Sequence, residues 1–527
     1  MPAIERNALG PRLLTSIFVV VTTVGLVGCN GGDSSSDDSG PIPLTVPKAS
    51  CSSSDKPESG LQGQVPASLR TPGGFQGFSC NLQLVGQSRG DGASWQHTWF
   101  QDKSGHKCNY YDTASATANR SHLGVVTIDA TNPANPVPTA YLETTAMLDP
   151  WESLKVNERR QMLGGVNALN GNGGPQIELY DLSGDCRFPQ LLGSISVGTG
   201  TNSWAPDEFK AAVRGHEGNF APDGLTYYAA NLGSGYIYPI DITNPTKPRM
   251  LTQYFTAPGR VHGLNISDDG NRAYVAIAGQ GGANPARAPG STPNNGLLIL
   301  DTSEVQQRKA DPQIKVVSVL TWDDGGTSQH EINVMIKGKP YVIHADEAGS
   351  GGSNMAGWTA ACAANLPAWQ FARIIDVSDE TKPTIVSKLM LEAYDPKNCD
   401  MVMPDLAGIS GFTYGAHYCS VDNRLNATTL ACGYFESGIR VFDIHNPQRP
   451  KEIAYFNPVA VTTPSPGSQN NRAAAIGRPD HCSAQVRLDV ATASLQTTCQ
   501  DNGFLSLKFT NGVWPFPEST TPPGLQN

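Results

Sequence analysis

The chain is poor in charge, poor in histidine and nearly free of long apolar runs. Asp, Glu, Lys and Arg make up 16% of its 527 residues, and the formal net charge is -10. No basic stripe is present, which excludes a phosphate-tracking surface and with it nucleic acid as a partner. Phosphate loops and dinucleotide fingerprints are missing, and no Cys-x-x-Cys occurs, so nucleotide-dependent and thiol-redox chemistry lose their usual motifs. The one apolar run, Leu13 to Val24, is shorter than a membrane span, and no second run follows it. What is plentiful is glycine and proline, 55 and 39 residues, which suits strands joined by many turns better than helices.

The apolar run belongs to an export signal. Arg6 and Arg12 make a basic start, and the run leads into Leu26-Val27-Gly28-Cys29. That phrase resembles the lipobox of bacterial lipoproteins. The resemblance implies that residues 1–28 are a signal peptide and that Cys29 is acylated, anchoring the chain to a membrane. Asn30 after Cys29 implies the outer membrane, with the protein facing the periplasm or the cell surface. Residues 29–79 are expected to be a flexible tether and N-terminal segment. The stretch Asn30 to Pro47, rich in Gly, Ser and Asp, holds too little apolar surface to bury a core. Cysteines 51, 80, 108, 186, 362, 399, 419, 432, 482 and 499 remain, an even number that favours disulfides in an exported protein. Cys419 with Cys432 and Cys482 with Cys499 are expected across hairpins, and Cys362 with Cys399 is expected to tie down an insertion. The other pairings stay open.

A repeated phrase organises the rest. An apolar strand ends in aspartate and a turn at Asp129, Asp181, Asp241, Asp301, Asp376 and Asp443, several times followed by Asn-Pro. A carboxylate there accepts from backbone N–H groups about two residues on, and proline stops the strand. Upstream of each aspartate strand is a hairpin, often turned by Asp-Gly, and downstream is one more strand. Four strands per unit is the blade pattern of a propeller. The apolar-Asp-x-Ser/Thr-Asn-Pro phrases resemble the LVIVD-repeat family of bacterial exported propellers, over residues from about 80 to 510. The resemblance implies an exported surface protein and names no reaction.

The expected fold is therefore all-β, a seven-bladed β-propeller over residues 80–510 with a C-terminal tail at 511–527. Units start near residues 97, 151, 216, 262, 330, 417 and 481. The last has three strands, and Asn81-Leu-Gln-Leu-Val-Gly86 is expected to supply its fourth, closing the ring and removing exposed strand edges.

Six of the ten histidines fall at one position of this repeat: His97, His216, His262, His330, His417 and His481. Blade two has Trp151-Glu152 in place of His-Glu. A residue at the start of each first strand lies near one mouth of the channel, on the face where the largest insertions fall. Three readings of this ring stand side by side. It coordinates a transition metal (Cu, Fe or Zn), as several imidazoles suit. It binds an organic anion or a surface protein, helped by Arg214, Arg260 and Trp151. Or each histidine bridges blades structurally. Glu152, Glu217 and Glu331 directly follow the ring position, and alternation places them behind the imidazoles. In a metal-dependent oxidoreductase Glu217 and Glu331 would orient ligands or move protons. A binding or scaffolding module is the first expectation and the oxidoreductase the alternative. His344, Asp346 and Glu347, at the end of a strand beside the blade-five insertion, are further donors for the same face. Gly86-Gln-Ser88-Arg-Gly90 spells a nucleophile elbow, but no helix pattern follows it.

Overall fold

Short apolar strands punctuated by aspartate turns pair into seven antiparallel sheets. The computed structural model describes residues 42–527 except 114–119, 169–174, 197–214, 234, 253, 288–293, 410, 467, 469–477, 523, 525 and 527. Blade one is His97–Gln101, Lys107–Asp112, Val125–Asp129 and Val137–Leu142, and blade two is Lys155–Asn157, Met162–Val166, Pro175–Asp181 and Gln190–Ser196. Blade three is Glu217–Phe220, Thr226–Asn231, Tyr236–Asp241 and Arg249–Met250, with Phe255–Thr256 pairing further along its third strand. Blade four is Val261–Ile266, Arg272–Ile277, Gly296–Asp301 and Lys315–Thr321. Blade five is Gly326–Ile336, Lys339–Ala348, Ala372–Asp376 and Thr384–Lys388. Blade six is Cys419–Val421, Thr429–Gly433, Ile439–Asp443 and Lys451–Asn457.

Blade seven closes the ring. Arg487–Asp489, Ser494–Cys499 and Gly503–Phe509 come from the C-terminal end, and the N-terminal strand Leu82–Ser88 pairs antiparallel with the last of them. Ser88 of the elbow-like phrase is thus the end of the closing strand, opposite Phe504.

The core is divided among the seams between blades. One apolar cluster joins Phe100 and Tyr110 of blade one to Leu163 and Tyr180 of blade two. Others join Leu179 to Tyr227, Tyr228 to Val275, Leu297 to Val342, Ile374 to Leu430 and Val441 to Leu505. The last seam packs Phe504 of blade seven on Tyr111 and Val126 of blade one. Each seam fills with buried aromatic and β-branched side chains, and together they link every blade to the next. The fold is a seven-bladed β-propeller.

All six repeat aspartates do what the sequence pattern implies. Asp129, Asp181, Asp241, Asp301, Asp376 and Asp443 each accept from the backbone N–H two residues on, at 2.8–3.0 Å. A second repeated residue sits three positions after the histidine in blades three, four and five, as Asn219, Asn265 and Asn333. Asn219 donates to the Leu264 carbonyl of blade four at 3.4 Å, and Asn265 donates to the Glu331 carbonyl of blade five at 3.3 Å. These carboxamides fasten neighbouring first strands to each other.

The packed body extends beyond the expected 80–510 at both ends. Phe78–Cys80 adds a fifth strand to blade six, and Val65, Phe75 and Phe78 bury against Tyr455. Trp514 donates to Thr429 at 2.8 Å, and the Gln526 carboxamide pairs with both backbone groups of Leu488 at 2.8 and 3.0 Å. Val46, at the end of the Gly/Ser/Asp stretch, is already buried in the core of blades five and six, and apolar residues are denser after Pro47 and in the tail, which gives both segments something to bury. Disulfides join Cys362–Cys399, Cys419–Cys432 and Cys482–Cys499 as expected, and also Cys51–Cys80 and Cys108–Cys186.

Candidate metal centre

Three of the six repeat histidines turn their Nε2 atoms toward one point at the channel mouth. His216 directly precedes the first strand of blade three, where its backbone N–H donates to the Ala230 carbonyl at 2.7 Å. His262 is the second residue of the first strand of blade four, and His417 leads into blade six. The Nε2 atoms of His216 and His262 are 3.2 Å apart.

Two carboxylates complete the cluster. Glu152 lies 2.9 Å from His216 Nε2, 3.4 Å from His262 Nε2 and, through its other oxygen, 3.0 Å from His417 Nε2. Glu347 lies 3.5 Å from His262 Nε2 and 3.8 Å from His417 Nε2. Glu152, His216 and His262 form one potential ligand set, and Glu152, Glu347 and His417 form another; donor atoms within each set lie within 4.8 Å of one another. Glu152 belongs to both, so the five residues make one site. All are buried except the His216 side chain, which is 24% exposed and marks the open side.

The outer ring nitrogens are held from behind. His262 Nδ1 faces a Glu217 oxygen at 3.3 Å, and His417 Nδ1 donates to the Ser483 carbonyl at 3.0 Å. Both contacts leave Nε2 as the inward lone pair when the imidazole is neutral. Gly263 makes room for the first. A Cβ there would lie 2.4 Å from the Glu217 carboxylate and 2.4 Å from the Gln329 carbonyl.

The electrostatics follow from packing opposite charges into a dry place. Burial alone raises Glu152, but His262, His216 and His417 outweigh it and hold the carboxyl well below its ordinary range. Burial alone lowers His417, and the Glu152 and Glu347 carboxylates outweigh it, taking the imidazole up to about 9. His262 is raised well above its ordinary value, against burial, by Glu152, Glu217 and Glu347. The carboxylates therefore favour positive charge among these nitrogens.

The other histidines go elsewhere. His97 is fully buried with Nδ1 3.0 Å from the Gln485 carbonyl and Nε2 3.0 Å from the Asn109 carboxamide. His330 lies deeper, 3.9 Å from Glu217 and against the Tyr418 ring with centroids 4.8 Å apart. The strand pairing shifts register between Ser328 and His330, as it also does around His262 between Val261 and Leu264. His481 lies 3.9 Å from Glu436, in a separate buried cluster where Glu436 also pairs with Arg70 and Arg478. Glu217 stands behind a ring histidine as expected. Glu331 instead faces His344 Nδ1 at 2.8 Å, part of a buried network with Asp346 and Arg373.

Trp151 and Arg260 flank the mouth differently. Trp151 takes left-handed backbone, φ 51°, and its ring lies 5.7 Å from Trp95 and 6.2 Å from His216. That turn carries Glu152 inward, so blade two contributes its glutamate where other blades offer histidine. Arg260 is exposed and donates to the Leu232 carbonyl at 3.3 Å. Arg214 and the lipidation candidate Cys29 lie outside the described residues. Glu347 comes from the second strand of blade five, which runs ten residues, Lys339–Ala348, and so reaches the mouth.

Fold and site together define an all-β propeller with a histidine–carboxylate cluster at one end of its channel. No protein-family model and no curated protein matches the chain. Solved structures do match. A Bacteroides uniformis protein provisionally named a 6-phosphogluconolactonase is 12% identical, with 78% of this chain and 94% of that one covered and a TM-score of 0.48. The β-propeller domain of Myceliophteria thermophila Cps50 (Swd1) is 10% identical over 82% of this chain and 100% of that one, at a TM-score of 0.44. A protein of unknown function from Desulfotomaculum acetoxidans is 14% identical over 66% and 81%, at 0.39.

Proposed function

We propose that the protein is an exported, lipid-anchored propeller that binds one transition-metal ion between His216, His262, His417, Glu152 and Glu347. The spacing of the inward nitrogens carries this reading. Two imidazoles on one ion, at ~2.0–2.1 Å each and an angle of ~90–110°, have nitrogens ~2.9–3.4 Å apart. The 3.2 Å between His216 and His262 falls in that window; without an ion one ring's N–H bridges to the other's lone pair, and a metal takes the place of that proton. Mixed imidazole and carboxylate donors suit Zn or Fe, and Cu to a lesser degree. Glu217 and the Ser483 carbonyl supply the outer support that such ligands use. Within this reading the propeller is a binding or scaffolding module whose metal orders the channel mouth.

Elemental analysis of tag-free protein, after repletion, is expected to find about one metal ion per chain. Glu152→Gln belongs to both ligand sets and is expected to lower affinity by about 10- to 100-fold. A folded wild-type protein that stays metal-free after repletion with Zn, Fe and Cu overturns the reading.

The exposed edge of His216 favours a second reading, a metal-dependent oxidoreductase, because it leaves the ion a route to solvent. Glu217 then positions His262 and does not touch the ion. Reversible one-electron cycling of the copper- or iron-loaded protein, followed by electron paramagnetic resonance, is the outcome this reading requires.

A further inference from the structure

A second cavity opens near the other end of the channel, where the first hairpins of blades two and three turn. Its volume is about 320 Å³, toward the small end of the range for metabolite-sized pockets. Trp99, Phe220 and Pro222 give it apolar wall, and two buried cations, Lys155 and Arg424, reach it.

Both cations are held from one side only. Arg424 donates through Nη2 to Asp268 at 2.8 Å and through Nη1 to Asn333 at 3.4 Å, while its Nε has no hydrogen-bond partner. Lys155 Nζ forms a long ion pair with the Glu217 carboxylate at 3.5 Å and lies 4.9 Å over the Tyr418 ring, but makes no close hydrogen bond. The two residues are 3% and 4% exposed, so water is largely withheld from them. A buried charged donor left without an acceptor is costly, and an oxyanion is the acceptor that satisfies it best. The acidic residues of the lining do not meet this need. Asp268 is already paired with Arg424, and burial, opposed by Arg487, pushes the Glu158 carboxyl up toward its neutral form.

We propose that this cavity binds a small organic oxyanion. Its carboxylate or phosphate group sits between Lys155 and Arg424, and its apolar body lies against Trp99 and Phe220. The cavity shares no lining residue with the candidate metal centre, although Glu217 stands between Lys155 and His262.

Isothermal titration of the full chain with benzoate, phenyl phosphate and benzamide tests this. At least one of the two anions is expected to bind, and neutral benzamide is expected to bind at least about tenfold more weakly. Which anion wins distinguishes a carboxylate guest from a phosphate one. Arg424→Gln and Lys155→Met are each expected to weaken the better anion by about tenfold or more, with circular dichroism confirming the fold. The wild-type panel decides the matter even where a variant does not fold. No binding of either anion at millimolar concentration, or equal binding of benzamide, overturns the proposal. So does unchanged anion affinity in both folded variants.

Discussion

At the scale of single residues, the smallest side chain near the metal centre is the most constrained. Gly263 leaves the space that the Glu217 carboxylate fills behind His262. Gly263→Ala is expected to destabilise the fold by ~1–3 kcal/mol through overpacking and to weaken metal binding about tenfold or more. Denaturant unfolding and a metal-competition titration read the two effects separately. His97 shows the opposite case, a repeat histidine committed to structure. Burial, against its bonds to Gln485 and Asn109, lowers it to about 4, whereas an unfolded imidazole titrates near ~6.5. Between those values the unfolded chain binds the extra proton, so this contribution is full above pH ~6.5 and is lost as pH falls toward 4. The loss is ~3 kcal/mol, and His97→Gln is expected to flatten that part of the stability–pH curve in urea titrations. The two histidines share a repeat position, so nothing in the spacing separates His97 from His262. What separates them is the neighbour each meets, Asn109 in one case and Glu152 in the other.

Elements were easier to read than side chains. The aspartate turns announced themselves because strand, carboxylate and proline recur together, and the resulting hydrogen bonds span two residues, within reach of local sequence. The closing strand was legible too, because blade seven visibly lacked a fourth strand. Deleting residues 82–88 leaves the outer edge of Gly503–Phe509 unpaired. That change is expected to lower the melting temperature and to promote aggregation, seen as scattering that grows with protein concentration. The carboxamides Asn219 and Asn265 were in the sequence as His-x-x-Asn, a signal carried by three of the six repeat histidines. Their use is not local: each reaches a carbonyl on the next blade. The same holds for Glu347, whose place at the mouth depends on the length of the second strand of blade five.

For the whole molecule, the proposed metal binding would be linked to folding. An ion that binds only the folded chain stabilises it by ~2.7 kcal/mol at one hundred times its dissociation constant. Thermal scans are therefore expected to shift upward with added Zn for the wild type and to shift much less for Glu152→Gln. The proposed lipid anchor makes a separate prediction about location. Cys29→Ser is expected to move the protein from the membrane fraction to the soluble one; wild type and variant fractionating alike would remove the anchor from the proposal.

The sequence by itself determined the architecture: strand length, turn chemistry, blade number, ring closure and the hairpin disulfides all depend on contacts between near neighbours or on the count of repeats. It also named every residue that now forms the candidate metal centre, though it placed Glu152 behind the ring and kept His97, His330 and His481 within it. Only the tertiary structure decided which of these meet. The donors sit on five different blades, and a repeat makes their positions equivalent along each blade without making them equivalent in space. The Tyr418 ring and Glu217 beside His330, left-handed backbone at Trp151 and the partners around His97 break that equivalence. Convergence to within a few ångströms is set by those departures from symmetry, which a repeat pattern averages away.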